Sequence, residues 1–556
     1  MALAAADTYV VVLALPDMMA GVGLGIDKLQ QATPIISGFL LGYITVLPLM
    51  GRLSDLASRQ QVLLFCLLAF VLGSAITAVS VELPVLVGGR VLQGIGGGGL
   101  VPATLALVAD LWPPDQRGTP LGVVGAVQEL GSVLGPLLGA AVLAVADWRA
   151  IFWLNVVLGI VLAAVLVLTG GRHDQPRLPV LPTVLGLLAL ATGLLTLVAP
   201  RSLADDVTFG IPFIPFAGSG RLATPLGVIT LVLLMATFAA ARGSFVPLLR
   251  RVDVVGALCV AVALGSLVLT FASADPEREV VGPWGLALVP LGLVAVLGYI
   301  WRHHTAEAPL VPRGLMAAGA TGGRSRVVPA LLISVLVGVA LVAIVVDVPV
   351  LARLTVTGSQ TTAALVLVRF LVAVPLGAFF GGWSLRWLGE APVAASGLAL
   401  AGIALVVMSG WGPASLQSWP ATTTVLVVAG LGLGLALAPV NAAALASAPA
   451  DGHGVVSSLV VLDRMVGMVV GLALLTGIGL HRYYGAVAAL PNQQDVAALS
   501  AAGIVQVQTV FLGGAVAAFM AALIALALSG PRSRGNGGPA HGPGRSRAGQ
   551  PQPTPQ

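Results

Sequence analysis

The chain has 556 residues, of which 58% are hydrophobic and only 9% are Asp, Glu, Lys or Arg. Soluble globular domains usually carry about 25% charged residues, so this composition excludes a water-soluble globule. The net charge of +5 does not indicate nucleic-acid binding. In a chain this apolar, basic residues act mainly as topology signals beside an anionic lipid surface.

Apolar runs of about 18 to 25 residues follow one another along the chain, and each is long enough to cross a hydrocarbon core of ~30 Å as a helix. They predict an all-α polytopic membrane protein with sixteen spans, with fourteen as the alternative. The predicted spans are 1–22, 33–50, 61–80, 86–110, 120–146, 150–170, 181–199, 224–242, 253–273, 284–302, 327–352, 361–383, 392–410, 421–447, 455–480 and 505–529.

These spans group as six, four and six. Residues 1–170 are predicted to form an N-terminal six-helix bundle and residues 321–530 a C-terminal one, as in transporters built from two equivalent bundles. Residues 171–320 hold the inserted central spans and their linkers. The tail, residues 531–556, is rich in Pro, Gly, Arg and Gln, and this composition predicts a disordered cytoplasmic tail.

The distribution of basic residues predicts the orientation. With the N-terminus inside, seventeen of the 27 basic residues fall on the inner side and seven on the outer side. The remaining three, Arg90, Arg369 and Arg464, lie within spans. This bias places both termini in the cytoplasm. A single Lys against 26 Arg is typical of a GC-rich, actinobacteria-like genome, so we expect the inner membrane of a bacterium.

Seven charged residues lie inside predicted spans, where each costs roughly 2.5–3.5 kcal/mol on insertion scales and is expected to be functional or paired. Asp7 is the leading candidate for carrying a proton, the alternative being an interfacial Asp near the chain start. Arg90 with Gln93 could tune Asp7 or contact substrate, the alternative being a static role in helix packing. Asp347 and Arg369 could be partners on adjacent helices. The seven are Asp7, Arg90, Glu129, Asp347, Arg369, Asp463 and Arg464.

The sequence lacks the patterns of enzymes and metal proteins. The glycine run 96–99 is not followed by Lys-Ser or Lys-Thr, so it is not a phosphate-binding loop. The six histidines show no metal-ligand spacing and are expected to be solvated loop residues. No acid–base pair suggests a membrane-embedded enzyme, and a scaffold would not explain repeated halves. We therefore expect no cofactor and no metal, and the charges inside the spans make transport the first hypothesis.

A loop motif stands between the second and third spans, in the segment 51–59. Its glycine permits close helix approach, its Asp can cap a helix N-terminus, and its Arg can pair with that Asp. A second version, without the Asp, occupies the corresponding place at 382–389. Such a loop can hold two helices together in one conformation, so we name it the latch motif. Its key residues are Gly51, Arg52, Asp55 and Arg59.

The six-plus-six plan, the latch motif and the segment 131–139 together resemble the major facilitator superfamily. The segment 131–139 resembles the motif that marks exporters of this superfamily. Two extra central spans are typical of its fourteen-span drug:proton antiporter branch, and this chain carries a second pair. The exporter-motif residues are Gly131, Gly135, Pro136 and Gly139.

The segments 7–12, 128–136 and 148–153 resemble a mycobacterial branch that exports triacylglycerol and is linked to drug efflux. That resemblance implies a lipid cargo, proton exchange and a periplasmic lipid-carrying lipoprotein as partner. It also implies that Glu129 and Arg464 form an ion-pair gate on the outer side of the cavity. The alternative function is a multidrug:proton antiporter of small lipophilic cations and antibiotics.

The topology is testable by cysteine labelling in a background without Cys66 and Cys259. A cysteine replacing Ser244, in the predicted inner loop 243–251, should react only with reagents that enter the cell. Labelling from outside would mean that the central spans are miscounted.

Overall fold

The computed structural model describes residues 1–24, 29–169, 180–200, 203, 211–216, 220–272, 285–313, 315, 325–355, 360–449, 452–491 and 495–529. The predicted disordered tail lies outside these residues. In the described part, sixteen α-helices account for nearly all the structure, and there is no strand. They are α1 (Ala2–Gly21), α2 (Leu29–Leu56), α3 (Arg59–Val79), α4 (Leu83–Leu111), α5 (Gly118–Leu143), α6 (Arg149–Thr169), α7 (Val180–Val198), α8 (Pro225–Arg250), α9 (Val254–Ala272), α10 (Gly285–Thr305), α11 (Val327–Thr355), α12 (Gln360–Leu388), α13 (Glu390–Ser409), α14 (Trp419–Ser447), α15 (His453–Ala488) and α16 (Val496–Ala525).

The predicted fold class, an all-α polytopic membrane protein, is confirmed. Each predicted span corresponds to one helix. Within the described residues, thirteen helices are long and apolar enough to cross a membrane, and the apolar segment Val254–Thr270 is shorter. The number of spans, like the orientation, stays a prediction.

The same packing pattern occurs in both halves of the chain. In the first half α2 and α3 pack on α4, α1 packs on α5, and α3 packs on α6. In the second half α12 and α13 pack on α14, α11 packs on α15, and α13 packs on α16. Since each contact recurs ten helices later, the two six-helix bundles are structural repeats of one another.

The bundles meet through two equivalent helix pairs, α2 with α15 and α5 with α12. We call the end of the molecule where α2 ends and α3 begins the latch end. At this end Gly382 approaches α5 so closely that a Cβ on it would lie 2.6 Å from the Cα of Gly122. A side chain there would force the bundles apart, so glycine at these positions permits the contact.

The inserted block forms two antiparallel hairpins outside the bundles. The α7–α8 hairpin touches α3, and the backbone N–H of Arg221 donates to the Glu82 carboxylate at 2.8 Å. The α9–α10 hairpin packs on α2 and α15, across one of the two junctions between the bundles. Both hairpins keep large apolar side chains exposed, as expected for surfaces that face lipid.

Several helices extend beyond the apolar runs that predicted them. Helix α2 continues to Leu56, so most of the latch motif is helical. Helix α8 continues to Arg250, so the predicted loop 243–251 is mainly helix, because one glycine does not end a helix. Helix α16 starts at Val496, where the Asp495 carboxylate accepts the N–H of Ala497 at 2.9 Å as an N-cap.

Neighbouring glycines in α4 give a matched test of this packing. A Cβ on Gly89 would lie 2.6 Å from the Thr77 hydroxyl and 2.9 Å from the Thr77 nitrogen, whereas a Cβ on Gly88 would meet nothing within 4 Å. Gly89→Ala should therefore lower the thermal midpoint of the purified protein. Gly88→Ala should leave it unchanged or raise it, since Ala favours a helix by about 1 kcal/mol over Gly. Equal midpoints for the two variants would contradict this account of the α3–α4 contact.

Candidate functional site

Asp7 is fully buried and sits in a network of charged and polar side chains inside the first bundle. Its carboxylate forms an ion pair with the Arg90 guanidinium. It also accepts hydrogen bonds from the side-chain amides of Gln93, at 2.8 Å, and Asn155, at 2.6 Å. Arg90 donates in turn to Gln93 Oε1, at 2.7 Å, and to the Ile35 carbonyl, at 3.1 Å. The predicted association of Arg90 and Gln93 with Asp7 is thus present as direct contacts.

Two aromatic rings flank Arg90 within this network. Its guanidinium carbon lies 4.6 Å from the ring centre of Phe39 and 5.8 Å from that of Phe152. A cation over an aromatic face is stabilised without water. The site therefore holds two opposite charges at low dielectric, where separating or neutralising one has a large energetic effect.

Two glycines of the exporter motif place Asp7 in this position. A Cβ on Gly131 or on Gly135 would collide with the backbone of Ala2 or Ala6, respectively. These glycines are four residues apart, so they lie on the same face of α5 and form a flat surface for α1. Gly139 is buried on the same helix, and the side chain of Pro136 lies outside the described residues.

Sequence reasoning missed two members of the Asp7 network. Asn155 contacts Asp7 directly, and the Ser74 hydroxyl accepts the second Gln93 amide hydrogen at 2.9 Å. Both are polar residues inside apolar runs. A lone polar residue in such a run could have marked each of them as a candidate site residue. A membrane-buried Asn needs a partner because its amide loses water on insertion.

Glu129 and Arg464 meet across the two bundles. The Arg464 Nη1 lies 3.4 Å from the Glu129 Oε1, and the two side chains are 13% and 14% exposed, respectively. Each is the twelfth residue of its helix counted from the latch end. The structure thus brings this predicted pair together at matching depths in equivalent helices. Whether the pair works as a gate stays a prediction.

A cavity lies between the bundles, bounded by this pair on the side away from the latch end. Most of its wall consists of Leu, Val and Ala from α4, α5, α11, α14 and α15. The polar groups besides the ion pair are Gln128, Ser334 and Asn441. The Asn441 amide donates to the Leu437 carbonyl at 2.9 Å, while its Oδ1 is buried and has no hydrogen-bond partner in the described part of the chain.

The latch motif joins the two bundles through Asp55. Its two carboxylate oxygens accept the backbone N–H groups of Gly454, at 2.7 Å, and Val455, at 3.0 Å. These are the first N–H groups of α15, which lack partners within the helix and carry its positive dipole end. Arg59 pairs with Asp55 at 3.0 Å. Gly51 belongs to the same contact, since a Cβ on it would strike Ser458.

The remaining latch residues differ from expectation. The Nε of Arg52 is buried without a hydrogen-bond partner among the described residues, and Arg52 takes no part in the Asp55 contact. Arg59 also pairs with Asp110 at 3.0 Å, and His453 is buried with Nδ1 3.6 Å from that carboxylate. His453 was expected to be a solvated loop residue. It lies instead at the first position of α15, packed between the bundles.

The suggested Asp347–Arg369 pair is wrong. The Arg369 guanidinium lies 5.2 Å from the ring centre of Trp419 on α14. Asp347 is buried, and Asp463 is partly buried. Neither carboxylate has a hydrogen bond or ion pair to another described residue.

Comparison with known proteins fits this architecture. A family model described as Major Facilitator Superfamily matches residues 1–276. Two solved structures share the fold: the human organic anion transporter MFSD10, with a TM-score of 0.53 and 15% identity, and the E. coli fucose:proton symporter FucP, with 0.50 and 14%. The first alignment covers 94% of this chain and 96% of that chain, and the second covers 95% and 97%.

Closer relatives come from mycobacteria. A triacylglyceride transporter of Mycobacteroides abscessus is 35% identical over 492 residues, which is 87% of this chain and 81% of that protein. One from Mycolicibacterium smegmatis is 33% identical over 86% of this chain and 74% of that protein. A third, from Mycobacterium tuberculosis, is 32% identical over 86% and 81%. The chain is thus a membrane transporter rather than an enzyme, and it belongs to the major facilitator superfamily.

Proposed function

We propose that this protein is a secondary active exporter of hydrophobic compounds, driven by proton exchange, with a triacylglycerol-like lipid as cargo. The observation that carries the proposal is the lining of the space between the bundles, which in this closed conformation leaves a cavity of only about 30 Å³. Its wall is apolar apart from one ion pair and three uncharged polar side chains. Such a wall suits an apolar cargo with few polar groups. The similarity to triacylglyceride transporters over 87% of the chain supports the same cargo class.

The contacts that close the cavity on its two sides support a mechanism of alternating access. At the latch end, Asp55 and the glycine contacts hold the bundles together. On the other side of the cavity, Glu129 and Arg464 hold them through a single long ion pair. Opening either side requires its contacts to be replaced by water. The pair is suited to this because hydration lowers the cost of separating the charges.

The Asp7 network supports proton coupling. Asp7 is a carboxylate buried inside the bundle, and its charge is balanced by Arg90. Protonation of Asp7 would cancel the attraction and leave Arg90 to its aromatic and carbonyl contacts, which changes the packing of α1. The energetics suffice, since one proton moving down ~150 mV supplies about 3.5 kcal/mol. A hundredfold gradient of cargo costs about 2.7 kcal/mol.

The exporter motif supports outward transport, and the mycobacterial resemblance supports a lipid-carrying lipoprotein as acceptor in the periplasm. An acceptor of this kind suits the cargo, because triacylglycerol released into water would have no stable monomeric state. Inner-membrane localisation with cytoplasmic termini belongs to the same proposal.

The function is tested by reconstituting the protein into liposomes that contain labelled triacylglycerol, with an imposed pH gradient and an external lipid acceptor. We expect transfer that stops when a protonophore collapses the gradient. Lipidomics of a deletion strain, beside a drug-susceptibility panel, separates the two cargo classes. Unchanged lipids together with increased drug sensitivity would favour the multidrug alternative. Transfer unaffected by the protonophore would contradict proton coupling.

Asp7→Asn should abolish export while the protein still reaches the membrane in normal amount. Asn preserves the shape of the side chain but cannot exchange a proton, and it keeps only one of the two oxygens that accept from Arg90, Gln93 and Asn155. Asp7→Glu is the matched control, because it keeps a titratable carboxyl near Arg90 and should retain part of the activity. Efflux from proteoliposomes at equal protein amounts is the measurement. Full activity of Asp7→Asn would move the proton site elsewhere.

Glu129→Gln and Arg464→Gln should each impair transport, since either change leaves the other charge buried and uncompensated at a cost of about 3–5 kcal/mol. The swap Glu129→Arg with Arg464→Glu should recover part of the activity. A double-mutant cycle isolates this coupling from the effects of the single changes. Additive defects with no recovery in the swap would show that the two residues act separately.

A further inference from the structure

His453 lies at the junction between the bundles, in a cluster of charged side chains that is separate from the Asp7 network. It is the first residue of α15 and is only 6% exposed. Its Nδ1 is buried without a hydrogen-bond partner among the described residues. The Oδ1 of Asp110, at 3.6 Å, is too distant for a hydrogen bond. Histidine can gain a proton near neutral pH, so the surrounding charges decide which form this junction accepts.

The charges around this imidazole come from four elements of the first bundle. Asp55 is in the last turn of α2, Arg59 begins α3, Asp110 is in the last turn of α4, and Arg117 precedes α5. Arg59 pairs with both carboxylates at 3.0 Å. Arg117 donates to two backbone carbonyls at the end of α4, which fixes its position. Two carboxylates and two guanidinium groups balance one another, so this cluster is neutral while His453 is neutral.

A proton on His453 would add a positive charge that the closed junction does not compensate. Arg59 and Arg117 act on the ring with the same sign of charge. The first N–H groups of α15, the positive end of its dipole, follow directly in the chain. Asp110 opposes this repulsion, but its side chain is 41% exposed and already pairs with Arg59. Water weakens its attraction, which therefore does not offset the cost of burying the charge.

Opening the latch end removes that cost. Helix α15 packs on α2 and α4 in the closed junction, and separation of these helices would place His453 in water, where hydration stabilises an imidazolium. The open form therefore binds the proton more tightly than the closed form. A ligand that prefers one form shifts the equilibrium toward it, and the proton is such a ligand here.

We propose that His453 is a pH switch of the latch end. The junction stays closed while the imidazole is neutral, and it opens when acid on the latch side protonates the ring. The switch rests on the alternating access of the proposed function, but it depends neither on the cargo nor on the Asp7 site.

Distances between spin labels on the two bundles test this proposal. Thr169 ends α6 and Leu388 ends α12, and both are exposed at the latch end. Cysteines at these two positions, in a background without Cys66 and Cys259, carry the labels. Double electron–electron resonance is recorded on the full chain in detergent at pH 7.5 and pH 5.5. A solvated histidine has a pKa of about 6.5, so the ratio of long to short distances should rise by up to about tenfold at the lower pH.

Variants at this position assign the response. His453→Asn is polar but does not titrate in this range, so it should abolish the pH dependence. His453→Arg carries a permanent charge and should favour the long distance at both pH values. His481→Asn, at an exposed position near the other end of α15, is the matched control and should respond as the native chain does. If His453→Asn folds poorly, as judged by size-exclusion chromatography, His453→Gln provides the same test.

Three outcomes would overturn the proposal. The first is an identical distance distribution of the native chain at both pH values. The second is a pH response that persists in folded His453→Asn, which would assign the titration to another group, such as Asp55, Asp7 or Asp451, the last of which lies outside the described residues. The third is a closed junction in folded His453→Arg. Because no cargo or gradient is present, these results are independent of whether proteoliposomes show transport.

Discussion

The cost of placing a charge among apolar side chains governs how this molecule is put together. An isolated charge in a low-dielectric interior loses its hydration, so it must be paired or exposed to water. The partner of Asp7 lies in the same bundle, so this pair persists when the bundles move apart. The partner of Glu129 lies in the other bundle, so this pair cannot survive separation on its side of the cavity. The location of the partner therefore distinguishes a site within one bundle from a contact between the bundles.

At the latch end, the buried polar groups that need a partner are backbone N–H groups. The first N–H groups of α15 would be unsatisfied inside a closed junction, and Asp55 satisfies two of them from the opposite bundle. The close approaches at Gly51, Gly122 and Gly382 bring the backbones together. Opening this end requires water to replace both the carboxylate and the close packing at once.

The sequence predicted the helices well because an apolar run that must cross a membrane has one solution, a helix. The sequence also identified the candidate functional residues, since charged residues are rare in such runs. The sequence did not predict the side-chain contacts that depend on which face of a helix packs against which neighbouring helix. Arg369 turned toward Trp419 and not toward Asp347, and Asn155 joined Asp7 across 148 residues. His453 was misassigned because its loop-like sequence neighbourhood conceals a helix start at a buried junction.

The exporter motif connects the two charged sites mechanically. Gly131 and Gly135 bring α1 into backbone contact with α5, and that contact begins at the turn of α5 that follows Glu129. Helices packed this closely move as a unit, because a sliding motion would drive Cα atoms into carbonyl groups. A tilt of α1 caused by a change in the charge of Asp7 would therefore shift α5 and move Glu129 relative to Arg464. Glycine in this motif thus links the Asp7 site within one bundle to the Glu129–Arg464 pair between the bundles.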